Sequence, residues 1–122
     1  MKTAFIILSL ILISGCSKSP PAPAMSKGLE LAEKSQCLPC HALETKVIGP
    51  SWKAISKKYN EEIRSGKAGR KEVEAMLEKK IAMGGKGNWT GVTGGMSMPP
   101  AYPRVSKENI GKLVHFILSL KE

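Results

Sequence analysis

The chain has 122 residues, a formal net charge of +9 and an aromatic content of only 5%. That length holds one domain, and so few large rings leave little apolar surface to bury, so a staple, metal or cofactor is expected to complete the core. The positive balance favours acidic partners or an anionic membrane through long-range steering, and with no nucleic-acid module in the sequence, nucleic acid is not an expected partner.

The basic start Met1-Lys2-Thr3 runs into the apolar stretch from Ala4 to Ile13. That stretch is too short to cross a bilayer as a helix and suits a secretory signal. It ends in Ile13-Ser14-Gly15-Cys16, which resembles a bacterial lipoprotein cleavage site. Residues 1–15 are therefore expected to be a signal peptide, and Cys16 a lipidated residue that holds the exported protein to a membrane on the periplasmic or cell-envelope side. Residues 16–25 read as a tether, because the prolines within Ser17 to Ala24 favour an extended backbone of about 3.1 Å per residue, or on the order of 25 Å over that segment. The folded domain is expected over 26–122, as a monomer.

The domain reads as all-α, with four short helices and no convincing strand. Ser26 is the expected cap of the first, which leads through Leu29 and Leu31 to a cysteine pair. The second follows Gly49-Pro50, with Ser51 as cap and Trp52, Ile55 and Tyr59 at helical spacing. The third, Arg70 to Met83, aligns Val73, Met76, Leu77 and Ile81 on one stripe and stops at Gly84-Gly85. The last is capped by Ser106 and repeats Ile110, Leu113, Val114, Ile117 and Leu118 in the amphipathic pattern. Between these two helices, residues 84–103 carry six glycines and three prolines. A loop of that length in so small a domain is usually functional or disordered.

Cys37-Leu38-Pro39-Cys40-His41 is the CxxCH signature of covalent haem attachment. Two cysteines three apart share one face of a helical turn, where both sulfurs reach vinyl groups of one haem, and the adjoining histidine is directed at the iron. A thioredoxin-like pair is expected beside a βαβ pattern, which is missing. A zinc site needs a fourth ligand, and the other histidine, His115, is expected to be a packed or surface residue of the last helix. A plain disulfide leaves His41 unexplained. A second axial ligand is expected from Gly94-Gly95-Met96-Ser97-Met98-Pro99-Pro100. Thioether sulfur is soft and raises the reduction potential; Met98 is preferred because two following prolines stiffen its backbone, with Met96 the alternative. Met25, Met76 and Met83 are expected to be a linker residue, a core residue and a helix end.

Over about Leu29 to Leu120 the chain resembles a small bacterial class I cytochrome c of the c-551/c-552 type, in lipoprotein form. The resemblance rests on Cys37-Leu38-Pro39-Cys40-His41, Val47-Ile48-Gly49-Pro50, Gly87-Asn88-Trp89 and Met98-Pro99-Pro100, in that order. It implies thioether bonds from Cys37 and Cys40, axial ligation of the iron by His41 and Met98, and an all-helical fold around one haem c. It also implies that Pro50 packs near His41, with a backbone carbonyl orienting the imidazole, and that Trp89 donates to a haem propionate. The chain departs from the pattern at Thr90 to Ser97, where extra small residues and a second methionine separate Trp89 from Met98. The expected function is single-electron transfer between extracytoplasmic redox partners bearing acidic surfaces, with no enzymatic activity of its own. Lys46, Lys53, Lys57 and Lys58 are candidates for a docking ring or for plain solvated surface, and Arg104 for a propionate contact or for solvent. The alternatives are a haem peroxidase or diatomic-gas sensor, should the methionine leave the iron, and a haem-free metal or disulfide module.

Overall fold

The structure, a computed structural model, describes residues 22–121. The expected signal peptide, the lipidation site Cys16 and most of the tether lie outside the described residues. Five helices follow one another: α1 (Pro23–Lys34), α2 (Trp52–Arg64), α3 (Arg70–Met83), α4 (Thr90–Thr93) and α5 (Lys107–Ser119). Among the described residues there is no strand, only two isolated bridges, His41 with Lys46 and Gly85 with Met98.

The central element is α5, which packs against α1, α2 and α3. Its apolar stripe explains why: Ile110, Leu113, Val114, Phe116, Ile117 and Leu118 are all buried, so three sides of the helix must be covered. Gly28 lets α1 come close, since a Cβ there would lie 2.1 Å from the Phe116 ring. The C-terminal carbonyls of α5, which have no partners within the helix, are met from α2. Ser56 Oγ donates to Leu120 O at 2.9 Å and Asn60 Nδ2 to Leu118 O at 3.0 Å.

Three helix starts follow side-chain chemistry. Ser51 Oγ accepts from the Ala54 amide at 3.1 Å and Ser106 Oγ from the Asn109 amide at 3.2 Å, each a cap at the expected residue. Glu72 reaches back to the Gly69 amide at 3.4 Å at the head of α3.

Two expectations need correction. The first helix does not start at Ser26 but three residues earlier, at Pro23, with Ala22 as an N-cap that makes no side-chain bond. A proline in the first turn has its φ preset and no amide to leave unpaired, so the end of the expected tether starts the helix instead. Ser26 lies inside it and donates to Pro23 O at 2.9 Å, and Met25 packs on the core as a half-buried residue rather than serving as linker. The second correction is α4, a single turn in the expected loop. The amides of Val92 and Thr93 both donate to Trp89 O at 2.9 Å, and Gly94, at φ +62°, ends the turn. The sequence Thr-Gly-Val-Thr is a poor helix former, which is why it carries no helical signal.

Candidate haem site

Residue Gln36, at φ +58°, reverses the chain after α1, and the Cys37 amide then donates to Ala32 O at 2.9 Å. From there Cys40 and His41 both donate through their amides to Cys37 O, at 3.2 and 3.0 Å. This closed turn sets Cys37, Cys40 and His41 on the wall of one cavity of about 260 Å³. Burial pushes the Cys37 thiol above its usual range, against the opposing pull of Arg104 and with a small addition from Cys40. A neutral thiol suits an apolar wall.

His41 is held from three directions. Its Nδ1 lies 2.8 Å from the Pro50 carbonyl oxygen; a carbonyl only accepts, so Nδ1 carries the proton and Nε2 keeps its lone pair. The ring stacks on Trp52 with centroids 6.2 Å apart and planes 13° off parallel, and Trp52 meets the edge of Phe116 at 5.8 Å. Gly49 presses from the third side, where a Cβ would lie 2.5 Å from His41 Cε1. The segment that carries Gly49 and Pro50 is fixed by backbone bonds from Gly49 to Cys40 O at 2.8 Å and from Trp52 to Ala42 O at 3.0 Å.

Met98 lines the same cavity from the far end of the 84–103 segment. It exchanges two backbone bonds with Gly85: Gly85 N to Met98 O at 2.8 Å, and Met98 N to Gly85 O at 3.2 Å. Gly84 beside it has φ +65°, and a Cβ there would strike the Met98 carbonyl oxygen at 2.2 Å. The Ala101 and Tyr102 amides continue the pairing onto Ile81 O and Ala82 O at 3.1 and 3.2 Å. Met96 also borders the cavity but is 59% exposed, where Met98 is half-buried. Trp89 is half-buried against the core and lines the cavity as well.

The rest of the lining is apolar: Ile55 and Tyr59 from α2, Leu77 and Ile81 from α3, Leu113 and Ile117 from α5. Two thiols, an imidazole with a free nitrogen and a soft thioether converge on that surface. This donor set fits a covalently attached haem, with Cys37 and Cys40 as attachment points and His41 and Met98 as candidate ligands.

Other expected residues fall elsewhere. Arg104 neither reaches the cavity nor stands free: its Nη1 donates to Ser35 O at 2.8 Å, tying the segment after Met98 to the end of α1. His115 is exposed. Lys53 pairs with Glu44 at 2.7 Å and Lys58 with Glu62 at 3.0 Å, and neither they nor Lys46 and Lys57 line the cavity. The lysine that does line it is Lys80, which sequence reading passed over. The signal was there: Lys80 stands one helical turn beyond Met76 and Leu77, on the stripe already assigned to the core. Met76 itself borders the cavity and is 36% exposed.

A helical domain of this size with one CxxCH turn facing a histidine- and methionine-lined apolar cavity defines a c-type haem protein. The family model for cytochrome c matches residues 25–121, and the chain belongs to that family, among its small class I members. It is 39% identical to cytochrome c2 of Rhodocyclus tenuis over 92 residues, covering 75% of this chain and 90% of that protein. It is 34% identical to cytochrome c-552 of Nitrosomonas europaea over 124 residues, covering 99% of this chain and 100% of that one. The crystal structure of wild-type Nitrosomonas europaea cytochrome c552 superposes with a TM-score of 0.61 at 35% identity, covering 76% of this chain and 99% of that chain. The chain is thus an electron carrier with covalently bound haem c.

Gly49→Ala puts a methyl group where the His41 ring stands, an overpacking that typically costs about 1–3 kcal/mol. The haem-loaded variant is expected to show a reduced low-spin fraction and a lower unfolding midpoint. An unchanged absorption spectrum together with an unchanged midpoint would contradict the tight His41 seat.

Proposed function

We propose that His41 and Met98 would hold the haem iron and that the protein shuttles single electrons between exported redox partners. The observation that carries the reading is the double backbone pairing of Met98 with Gly85, which gives this methionine a fixed seat that Met96 lacks. Covalently bound haem supplies an iron that gains and loses one electron. Cys37 and Cys40 retain the group, the Pro50 carbonyl sets the His41 tautomer and ring plane, and Met98 presents soft sulfur that favours the reduced state. Ile55, Leu77, Leu113 and Ile117 exclude water. With His41 and Met98 both holding the iron, no position would be open to a substrate, so the proposed role is electron transfer without enzymatic activity, and the pinned Met98 backbone argues against a peroxidase or gas-sensor role.

Docking is proposed at Leu38, Val47, Ile48 and Met96. These are large exposed apolar residues, and they lie in the CxxCH turn, the segment before Gly49 and the loop before Met98. Partners with acidic surfaces are drawn in by the positive balance of the chain, formally +9 over the full sequence and +8 without Lys2. The protein is proposed to act as a monomer in the periplasm or at the cell envelope, following the signal-like residues 1–15, and to be held to a membrane by a lipid on Cys16.

The ligand assignment is tested by absorption spectra of oxidised haem-loaded variants. Met98→Ala is expected to abolish the weak long-wavelength sulfur-to-iron band, whereas Met96→Ala keeps it; the reverse pattern would transfer the role to Met96. The partner and membrane assignments predict that electron transfer to an acidic partner slows as ionic strength rises, and that Cys16→Ser moves the protein from the membrane to the soluble fraction. A rate indifferent to salt would remove the steering, and an unmoved Cys16→Ser protein would remove the anchor.

A further inference from the structure

We propose that Lys80 is a positioning residue for Met98, acting as a clamp on the turn that fixes the Met98 backbone. Lys80 stands in the last turn of α3, and its Nζ donates to Gly85 O at 2.5 Å and to Lys86 O at 2.8 Å. An ammonium group has three donors and no acceptor, so two of the three are spent on one tight turn. Gly85 O is shared: the same oxygen accepts from Lys80 Nζ and from the Met98 amide. The chain therefore runs from helix to ammonium, to the Gly85 carbonyl, to Met98.

The turn needs such a clamp. Gly84 and Gly85 sit at φ +65° and +91°, a conformation that glycine adopts freely and leaves just as freely. A bond from a charged donor is roughly twice as strong as a neutral one, which makes the Lys80 bonds the strongest local hold on this turn. Other lysines of the surface, such as Lys34, Lys58 and Lys112, pair with a glutamate one helical turn away. Lys80 instead turns its charge onto two backbone carbonyls at the edge of an apolar cavity. The aliphatic stem of Lys80 also passes close to Gly87, where a Cβ would lie 3.2 Å from Lys80 Cε, so the absence of a side chain at 87 leaves the clamp its room.

The inference rests on the reading of Met98 as iron ligand, and the test separates the two. Haem-loaded Lys80→Leu and Lys80→Arg are compared with the unmodified protein in two measurements. One is the affinity of the oxidised protein for imidazole, read from loss of the sulfur-to-iron band; the other is hydrogen exchange at the Met98 amide. Loss of the charged bonds in Lys80→Leu is expected to tighten imidazole binding and speed Met98 amide exchange by about tenfold each. Lys80→Arg, which keeps forked donors, is expected to stay near the unmodified values. Unchanged imidazole affinity and unchanged exchange in Lys80→Leu would overturn the clamp. A reduction potential measured on the same variants then separates the roles: a shift in potential with both other readings unchanged would make Lys80 a charge beside the haem and not a clamp. If the unmodified protein itself lacks the sulfur-to-iron band, the ligand reading fails, and the Met98 amide exchange still decides the clamp.

Discussion

Everything in this fold answers to one constraint: a cavity of about 260 Å³ with mostly apolar walls runs through the place where a larger protein would keep its core. Helix α5 supplies the floor with Leu113 and Ile117, α2 and α3 supply the sides, and two non-helical segments close the ends. With aromatics at only 5% of its residues, the chain has few large side chains with which to fill that space. A domain of about a hundred residues has a thin stability margin, and leaving such walls to water would cost a large share of it. Covalent haem c solves both problems, because it supplies the missing apolar bulk and cannot be lost.

The two ends of the cavity are built by different physical means. At the His41 end, the short segment between the CxxCH turn and α2 is fixed by its own backbone bonds, and the imidazole is wedged among Gly49, Pro50 and Trp52. The proximal side is thus rigid through steric contact with the helical core. At the Met98 end there is little core to lean on. Position comes from a two-bond bridge to Gly85, from left-handed glycines and from the stiffness of Pro99-Pro100. Arg104 then closes the circuit by returning from that segment to Ser35, at the foot of α1 next to Cys37. The two halves of the site, far apart in sequence, are thereby tied by one cationic hydrogen bond outside the cavity.

The parts of this arrangement that were legible in the sequence are those governed by local chemistry. The caps Ser51 and Ser106 gave the starts of α2 and α5, and the glycines after Met83 gave the end of α3. The CxxCH turn could be read because spacing alone puts its three residues on one face. The contact between Pro50 and His41 came only through family resemblance, since nothing in the residues between them announces it. The start of α1 was misread because a serine cap was preferred over a proline already in helical geometry. The single turn α4 was missed because tertiary context, not propensity, folds Thr90–Thr93. Lys80 and Arg104 escaped because both donate to backbone carbonyls, and a carbonyl partner leaves no mark in the pattern of residue types.

The central claim is that the haem completes the core and so is required for the fold itself. Far-ultraviolet circular dichroism through a thermal melt, comparing the haem-loaded protein with Cys37→Ser/Cys40→Ser prepared without haem, tests it most directly. The account predicts that the double variant loses most of the helical signal and melts without a cooperative transition. A double variant with the same helical content and a cooperative melt near that of the haem-loaded protein would contradict it, and would mean that the polypeptide alone holds the cavity walls in place.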